Sequence, residues 1–174
     1  MNNVKLNFTL AFNMEQFNLD EVDLKLLEML QTDASLSNQA LAERVHISPP
    51  TCLRRIKRLR DSGLIEREIA LLHTGKLAEV MGHGLTAIVE ITLDRQDAGQ
   101  LDAFEQRVVA DTAVQQCYRT SPGPDFVLVL QLADMPRYAA LAQRLFTSDA
   151  NVRNVKTFFS VKRAKFEPKV LLAS

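Results

Sequence analysis

Apolar residues recur at helical spacing in three consecutive segments of the first third of the chain, then switch to strict alternation near residue 85. Leu19-Asp20 precedes Val22, Leu26, Leu27 and Leu30; Asp20 can cap this first helix while Leu19 staples onto Leu24. Leu36-Ser37 precedes "NQALAERV", with Ser37 as the cap of a second helix and Leu36 stapling onto Leu41. Ile47-Ser48 precedes "PPTCLRRIKRLRDS", with Ser48 as the cap, Ile47 against Cys52, and Gly63 in the left-handed position that ends a third helix.

The adjacent prolines fit the first turn of that helix, where N–H groups have no internal acceptor. With Pro50 lacking an N–H, the Ser48 side chain has to bond Thr51. Because a residue before proline resists the helical region, Pro49 can instead be the half-in cap, with Pro50 the first helical residue. Only the short "HIS" turn separates the second and third helices, a spacing suited to a helix-turn-helix, and "LIEREIALL" after Gly63 reads as a short β-hairpin or wing.

From Gly84 the pattern is that of a sheet. "LTAIVEITL" places Leu85, Ala87, Val89, Ile91 and Leu93 on one strand face. A helix capped by Asp97 follows, with Leu101, Phe104 and Val108 in register. Strands "AVQQCYRT" and "DFVLVLQL" are joined by the turn "SPGP", a helix after Asp134 carries Tyr138, Leu141 and Leu145, and "VKTFFSV" from Val155 to Val161 is the last strand. The order is βαββαβ, a ferredoxin-like arrangement with both helices on one face. The predicted class is therefore α+β: an N-terminal winged helix-turn-helix plus a C-terminal ferredoxin-like domain. Residues 1–18 form an N-terminal extension, in which Met14 is a candidate native start. Residues 19–72 form the helix-turn-helix domain, 73–83 a glycine-containing hinge or connector, and 84–174 the ferredoxin-like oligomerisation domain. "DFVLVLQL" is apolar on both sides, so the bare sheet face calls for a second copy and at least a homodimer.

Composition changes this picture little. The 174-residue chain can bury a core, carries 21 Lys+Arg against 21 Asp+Glu, and has no apolar run long enough to cross a membrane, which points to a cytoplasmic protein without a membrane partner. Cys52 and Cys117 lack CxxC spacing and read as small buried apolar residues, and no metal or cofactor signature is present. His46, His73 and His83 stand in no arrangement with carboxylates or thiols that suggests catalysis.

Charge distribution changes it more. Arg54, Arg55, Lys57, Arg58 and Arg60 form the densest basic cluster, and it lies on the third helix. Cys52, Ile56 and Leu59 occupy one side, while Thr51, Arg54, Arg55 and Arg58 fall on roughly the opposite side. Such a cationic face can be merely solvated. On a helix with a fixed start behind a tight turn it reads as a DNA-recognition helix, in which Arg serves guanine edges or phosphates. A two-fold dimer would present two such helices to a palindromic operator, with half-sites a multiple of roughly 34 Å apart.

Over Leu19 to about Phe166 the sequence closely resembles the Lrp/AsnC (leucine-responsive, feast/famine) family of transcription regulators. The resemblance is carried by "LDEVDLKLLEMLQTDASLSNQALAERVHISPPTCLRRIKRLRDSGLI", then "LTAIVEITL", "QQCYRT" and "LADM". It implies a winged helix-turn-helix followed by a ligand-sensing RAM domain, dimers that assemble into octamers on double-stranded DNA, and a free amino acid as effector, coupled to operator binding. A nucleoid-associated location goes with it. Asn38, Ser48, Pro50, Thr51, Arg54, Arg55, Lys57 and Arg58 are the implied DNA-binding positions. His46 replaces a glycine frequent in that turn and is expected to take the turn conformation at some strain.

For the effector the implied positions are Ser121, Gly123, Asp125, Phe126 and Thr157. Here "SPGPDF" departs from the family's Gly-Asp-aromatic-Asp-aromatic run, and Val155 is apolar where relatives carry a polar residue. Asp125 can bind a ligand's ammonium group or cap the hairpin. Two other readings stay open: an architectural DNA-binding protein whose second domain only oligomerises, and an enzyme on the ferredoxin-like scaffold.

Overall fold

The computed structural model describes residues 18–82 and 84–172; the extension over residues 1–17 and His83 lie outside the described residues. Two compact units are present, residues 18–70 together with 167–172, and Leu71–Phe166.

The first unit contains α1 (Glu21–Thr32), α2 (Asn38–Arg44) and α3 (Pro49–Asp61). Asp20 caps α1, accepting from Asp23 N at 2.9 Å, while the Asp23 carboxylate accepts from Asp20 N at 3.3 Å. Ser37 caps α2 by accepting from Ala40 N at 3.2 Å. Leu26, Leu41, Ala42, Cys52, Ile56 and Leu59 close the core, with Leu19, Leu36 and Ile47 packed at its edge as the stapling pattern requires.

Two features of this unit differ from expectation. Residues 64–72 form no paired strand, so the hairpin read into "LIEREIALL" is absent there. The segment has no Gly, Asn, Asp or Pro to turn a hairpin, and its Glu68 is drawn to Arg60 at 2.5 Å. The C-terminal residues also join this unit: Gln31 exchanges two hydrogen bonds with Val170 (3.2 and 2.6 Å), Lys169 pairs with Glu28 at 2.5 Å, and Leu172 packs on the core.

The second unit opens with α4 (Thr74–Met81), a helix where the glycine-containing segment suggested a hinge or connector; Gly82 ends it at φ 71°. Then follow β1 (Leu85–Leu93), α5 (Ala98–Val109), β2 (Val114–Arg119), β3 (Phe126–Leu132), α6 (Met135–Ala142) continuing as a π-helical turn (Gln143–Thr147), and β4 (Val152–Phe159). The strands pair antiparallel in the order β2-β3-β1-β4, the ferredoxin-like topology. Ala87, Val89, Ile91, Leu93, Phe126, Leu128 and Leu130 share one core with Phe104 and Val108 of α5, Leu141 of α6 and Leu145 and Phe146 of the π turn.

On the opposite sheet face Ile88 (40% exposed), Phe158 (44%) and Tyr118 (53%) stand open beside half-buried Val127 and Val129. The last strand begins three residues before the predicted Val155, because Val152 pairs with Leu93 across an irregularity at Thr92/Leu93. Cys52 is buried as read; Cys117 is half-buried against the core.

Candidate nucleic-acid interface and effector loop

The α2–α3 turn is closed by backbone bonds from Val45 to Leu41, His46 to Glu43 and Ile47 to Ala42, at 3.2, 3.2 and 3.0 Å. His46 takes φ 56°, the left-handed turn conformation expected at a position where it replaces glycine. The turn is drawn tighter by Asn38, whose Nδ2 donates to Pro49 O at 2.8 Å. Asn38 Oδ1 is buried and has no hydrogen-bond partner among the described residues.

Ser48 is the residue preceding α3, and Pro49 and Pro50 fill its first two positions, so the alternative start at Pro50 is not taken. Ser48 bonds Thr51 through its hydroxyl, Oγ to Oγ1 at 2.9 Å, and makes no side-chain bond to a backbone N–H.

The cationic face of α3 is divided. Arg55 Nη1 donates to Asp23 Oδ1 at 2.9 Å and to Asp20 Oδ2 at 2.7 Å, and Arg58 Nη2 donates to Asp23 Oδ2. Asp23 is completely buried and Arg55 only 24% exposed. These two arginines, read from sequence as DNA-facing, are turned toward α1. At about 100° per residue, Arg55 lies about 70° from the Cys52–Ile56–Leu59 side whereas Arg54 lies about 170° from it.

The outward set is therefore Pro50, Arg54 and Lys57, all exposed, with Ser48 and Thr51 at the amino end. Leu53, 56% exposed, stands beside them. A signal for the division was present: Asp23 occupies the same helical stripe as Leu26, Leu27 and Leu30, and an acid on an apolar stripe requires a cationic partner.

The charges respond to one another. Asp20 is held below the ordinary carboxylate range, first by the Asp23 backbone N–H and then by Arg55. Arg55 is pushed up by its bonds to Asp23 and Asp20.

In the second unit three of the five effector positions, Asp125, Phe126 and Thr157, are each engaged with a different partner. Asp125 Oδ2 accepts from Leu93 N at 2.7 Å and from Gln96 Nε2 at 3.2 Å, at the end of β1 and not in the turn over residues 121–124 that the capping alternative named. Phe126 is fully buried in the core, its ring 4.9 Å from that of Phe104. Thr157 Oγ1 shares a 2.6 Å hydrogen bond with Tyr138 OH, and that ring meets Phe159 edge-on at 5.0 Å. Ser121 is exposed and precedes Pro122 through a cis peptide; Gly123 has φ 127°, a conformation that favours glycine.

Residues 19–66 match the family model for a winged helix-turn-helix DNA-binding domain, and residues 86–170 match the Lrp/AsnC ligand binding domain. The DNA-binding transcriptional activator DecR of Escherichia coli K12 is 35% identical over 148 residues, covering 85% of this chain and 95% of that protein. The chain belongs to the Lrp/AsnC family of transcription regulators. Among solved Lrp/AsnC structures, an AsnC family regulator from Agrobacterium tumefaciens is 28% identical, with a TM-score of 0.78 over 88% of this chain and 97% of its own. A transcriptional regulator from Neisseria meningitidis solved as an L-Met complex is 28% identical, with a TM-score of 0.77 over the same shares. Both elements of the Lrp/AsnC plan, the DNA-binding and the ligand-binding domain, are thus in this chain in the family's order.

Proposed function

We propose that this regulator binds a palindromic double-stranded operator as a homodimer or an octamer built from dimers. In this reading α3 is the recognition helix, with Arg54 and Lys57 toward the DNA, Pro50 and Thr51 at its entry, and Arg55 and Arg58 holding α3 against α1. The observation that carries it is the outward exposure of Arg54 and Lys57 on a helix fixed by Ser48, Asn38 and the Asp23 bridge. Arg side chains can then reach guanine edges while Lys neutralises phosphate. A cytoplasmic, nucleoid-associated location belongs to this reading because its partner is DNA; no helix among the described residues is long and apolar enough to cross a membrane.

A free amino acid is the proposed effector, a reading supported by the ligand-binding domain match and by the L-Met complex of the Neisseria neighbour. Asp125 and Phe126 are engaged within the fold, which favours a second reading: a DNA-binding architectural protein whose second domain only oligomerises.

A gel-shift experiment with Arg54→Ala/Lys57→Ala tests the first claim. Loss of specific binding with assembly retained is expected; unchanged affinity would overturn the recognition-helix assignment. A thermal-shift screen against the standard amino acids separates the two effector readings, since a ligand that binds only the folded state raises the melting temperature. A selective shift supports the effector, and none supports the architectural protein.

A further inference from the structure

An open cleft of about 630 Å³ lies wholly within the second unit, between α4 and the segment leading out of β4. Among the described residues its lining contains Lys162, Arg163 and Lys165 and no aspartate or glutamate. In a chain whose charges cancel, that is a local excess of three cations with nothing in the wall to neutralise them.

The uncharged groups of the wall also donate. His73 Nδ1 accepts from Lys76 N at 3.2 Å, so the neutral ring carries its proton on Nε2. Gln131 Oε1 accepts from Thr86 Oγ1 at 2.8 Å, which leaves the Gln131 amide N–H groups to donate. Arg163 is oriented by a 3.1 Å bond to Thr74 Oγ1 and by the Phe166 ring, whose centroid is 4.8 Å away; a guanidinium has further N–H groups beyond the one used.

We propose that this cleft binds a phosphate group, carried either on the DNA backbone or on a free phosphorylated metabolite. A cationic, donor-rich wall suits an anion whose oxygens only accept, and Arg and Lys together match phosphate geometry and charge. A free amino acid does not fit, because its ammonium group would meet three cations and no carboxylate. The site is thus distinct in ligand from the amino-acid effector site and does not depend on the recognition-helix reading.

The test uses the full chain and a Lys162→Ala/Lys165→Ala variant; both residues are exposed, and Arg163 is spared because it also bonds Thr74. Two probes are titrated: inorganic pyrophosphate by calorimetry, and a random-sequence DNA duplex by filter binding across a salt series. If the ligand is a free phosphate compound, the wild type binds pyrophosphate and the variant binds it about tenfold or more weakly. If it is the DNA backbone, the variant's log-log salt slope falls by about 2, one for each lysine lost. Absence of both effects in a variant with wild-type melting temperature overturns the proposal. Arg54→Ala/Lys57→Ala in a gel shift on the specific operator isolates the other reading: unchanged affinity there while the cleft variant shows its effect removes α3 as the recognition helix and leaves the phosphate site standing.

Discussion

The carboxylate of Asp23, completely buried in α1, accepts a 2.9 Å hydrogen bond from Arg55 Nη1 of α3, and its second oxygen accepts from Arg58. This bridge couples α3, the proposed recognition helix, to α1 behind it. Removing one partner of a buried ion pair leaves the others uncompensated, although Arg55 and Arg58 keep some access to water, 24% and 45% of their side-chain surface. Asp23→Ala is therefore expected to cost about 2–3 kcal/mol, read as a lower urea midpoint. Arg55→Ala should lower it too, whereas Arg54→Ala should leave it in place. Equal midpoints for the Arg54 and Arg55 variants would remove the division of the cationic face into structural and DNA-facing halves.

Asp20 adds a pH dependence to the same corner. Its pKa is depressed in the folded state by the Asp23 N–H and then by Arg55, so its contribution is complete above the unfolded carboxylate value of about 3.9. It is lost as pH falls through the lower folded value. Asp20→Asn keeps a capping oxygen but removes the charge, and its stability deficit should shrink on going from pH 6 to pH 3 by roughly the worth of that titration. A deficit that is constant with pH would show that the charge of Asp20 is not involved.

His46 adopts φ 56° without a glycine's freedom. A side chain held there costs about 1 kcal/mol, partly offset by the greater entropy that glycine loses on folding. His46→Gly should raise thermal stability by a degree or more while leaving DNA affinity unchanged. A drop in stability would mean that the imidazole makes a compensating interaction in the folded protein.

Asp125 accepts from Leu93 N and Gln96 Nε2, and so ties the end of β1 to the start of β3. Asp125→Ala leaves those donors without their acceptor and should cost about 1–2 kcal/mol, seen as the same fall in melting temperature with and without an amino acid present. A variant with normal melting temperature that no longer responds to an amino acid would reassign the carboxylate to the ligand.

The open sheet face predicts assembly. Ile88 and Phe158 pair across β1 and β4 and are 40% and 44% exposed in the single chain. Placing a charge there by Ile88→Glu or Phe158→Glu should convert dimers into monomers by light scattering, since burial of an unpaired carboxylate outweighs the apolar area gained. Retention of the dimer in both variants would move the interface elsewhere.

Local chemistry, read from the sequence alone, was sufficient for α1, α2, α3, α5 and α6, for the caps Asp20, Ser37, Asp97 and Asp134, and for the βαββαβ order, but not for α4 or for the unpaired segment 64–72. Each depends on residues a few positions apart: Asp20 and Ser37 reach backbone N–H groups three residues on, and Ala87, Val89, Ile91 and Leu93 alternate onto one face because strand geometry alternates. The left-handed turn at His46 was expected from the family resemblance instead, since relatives often carry glycine there. Tertiary structure alone decided which partner each polar group takes. Arg55 and Arg58 look like Arg54 in the sequence, and only the approach of α1 brings Asp23 against them, more than thirty positions away. Only the packing of β1 brings Leu93 N to Asp125, 32 positions away, and residues 167–172 joined the first unit through Gln31, 139 positions distant. A helical or strand pattern says which side of an element is apolar, but the direction and distance of a charged side chain's partner depend on how the elements pack.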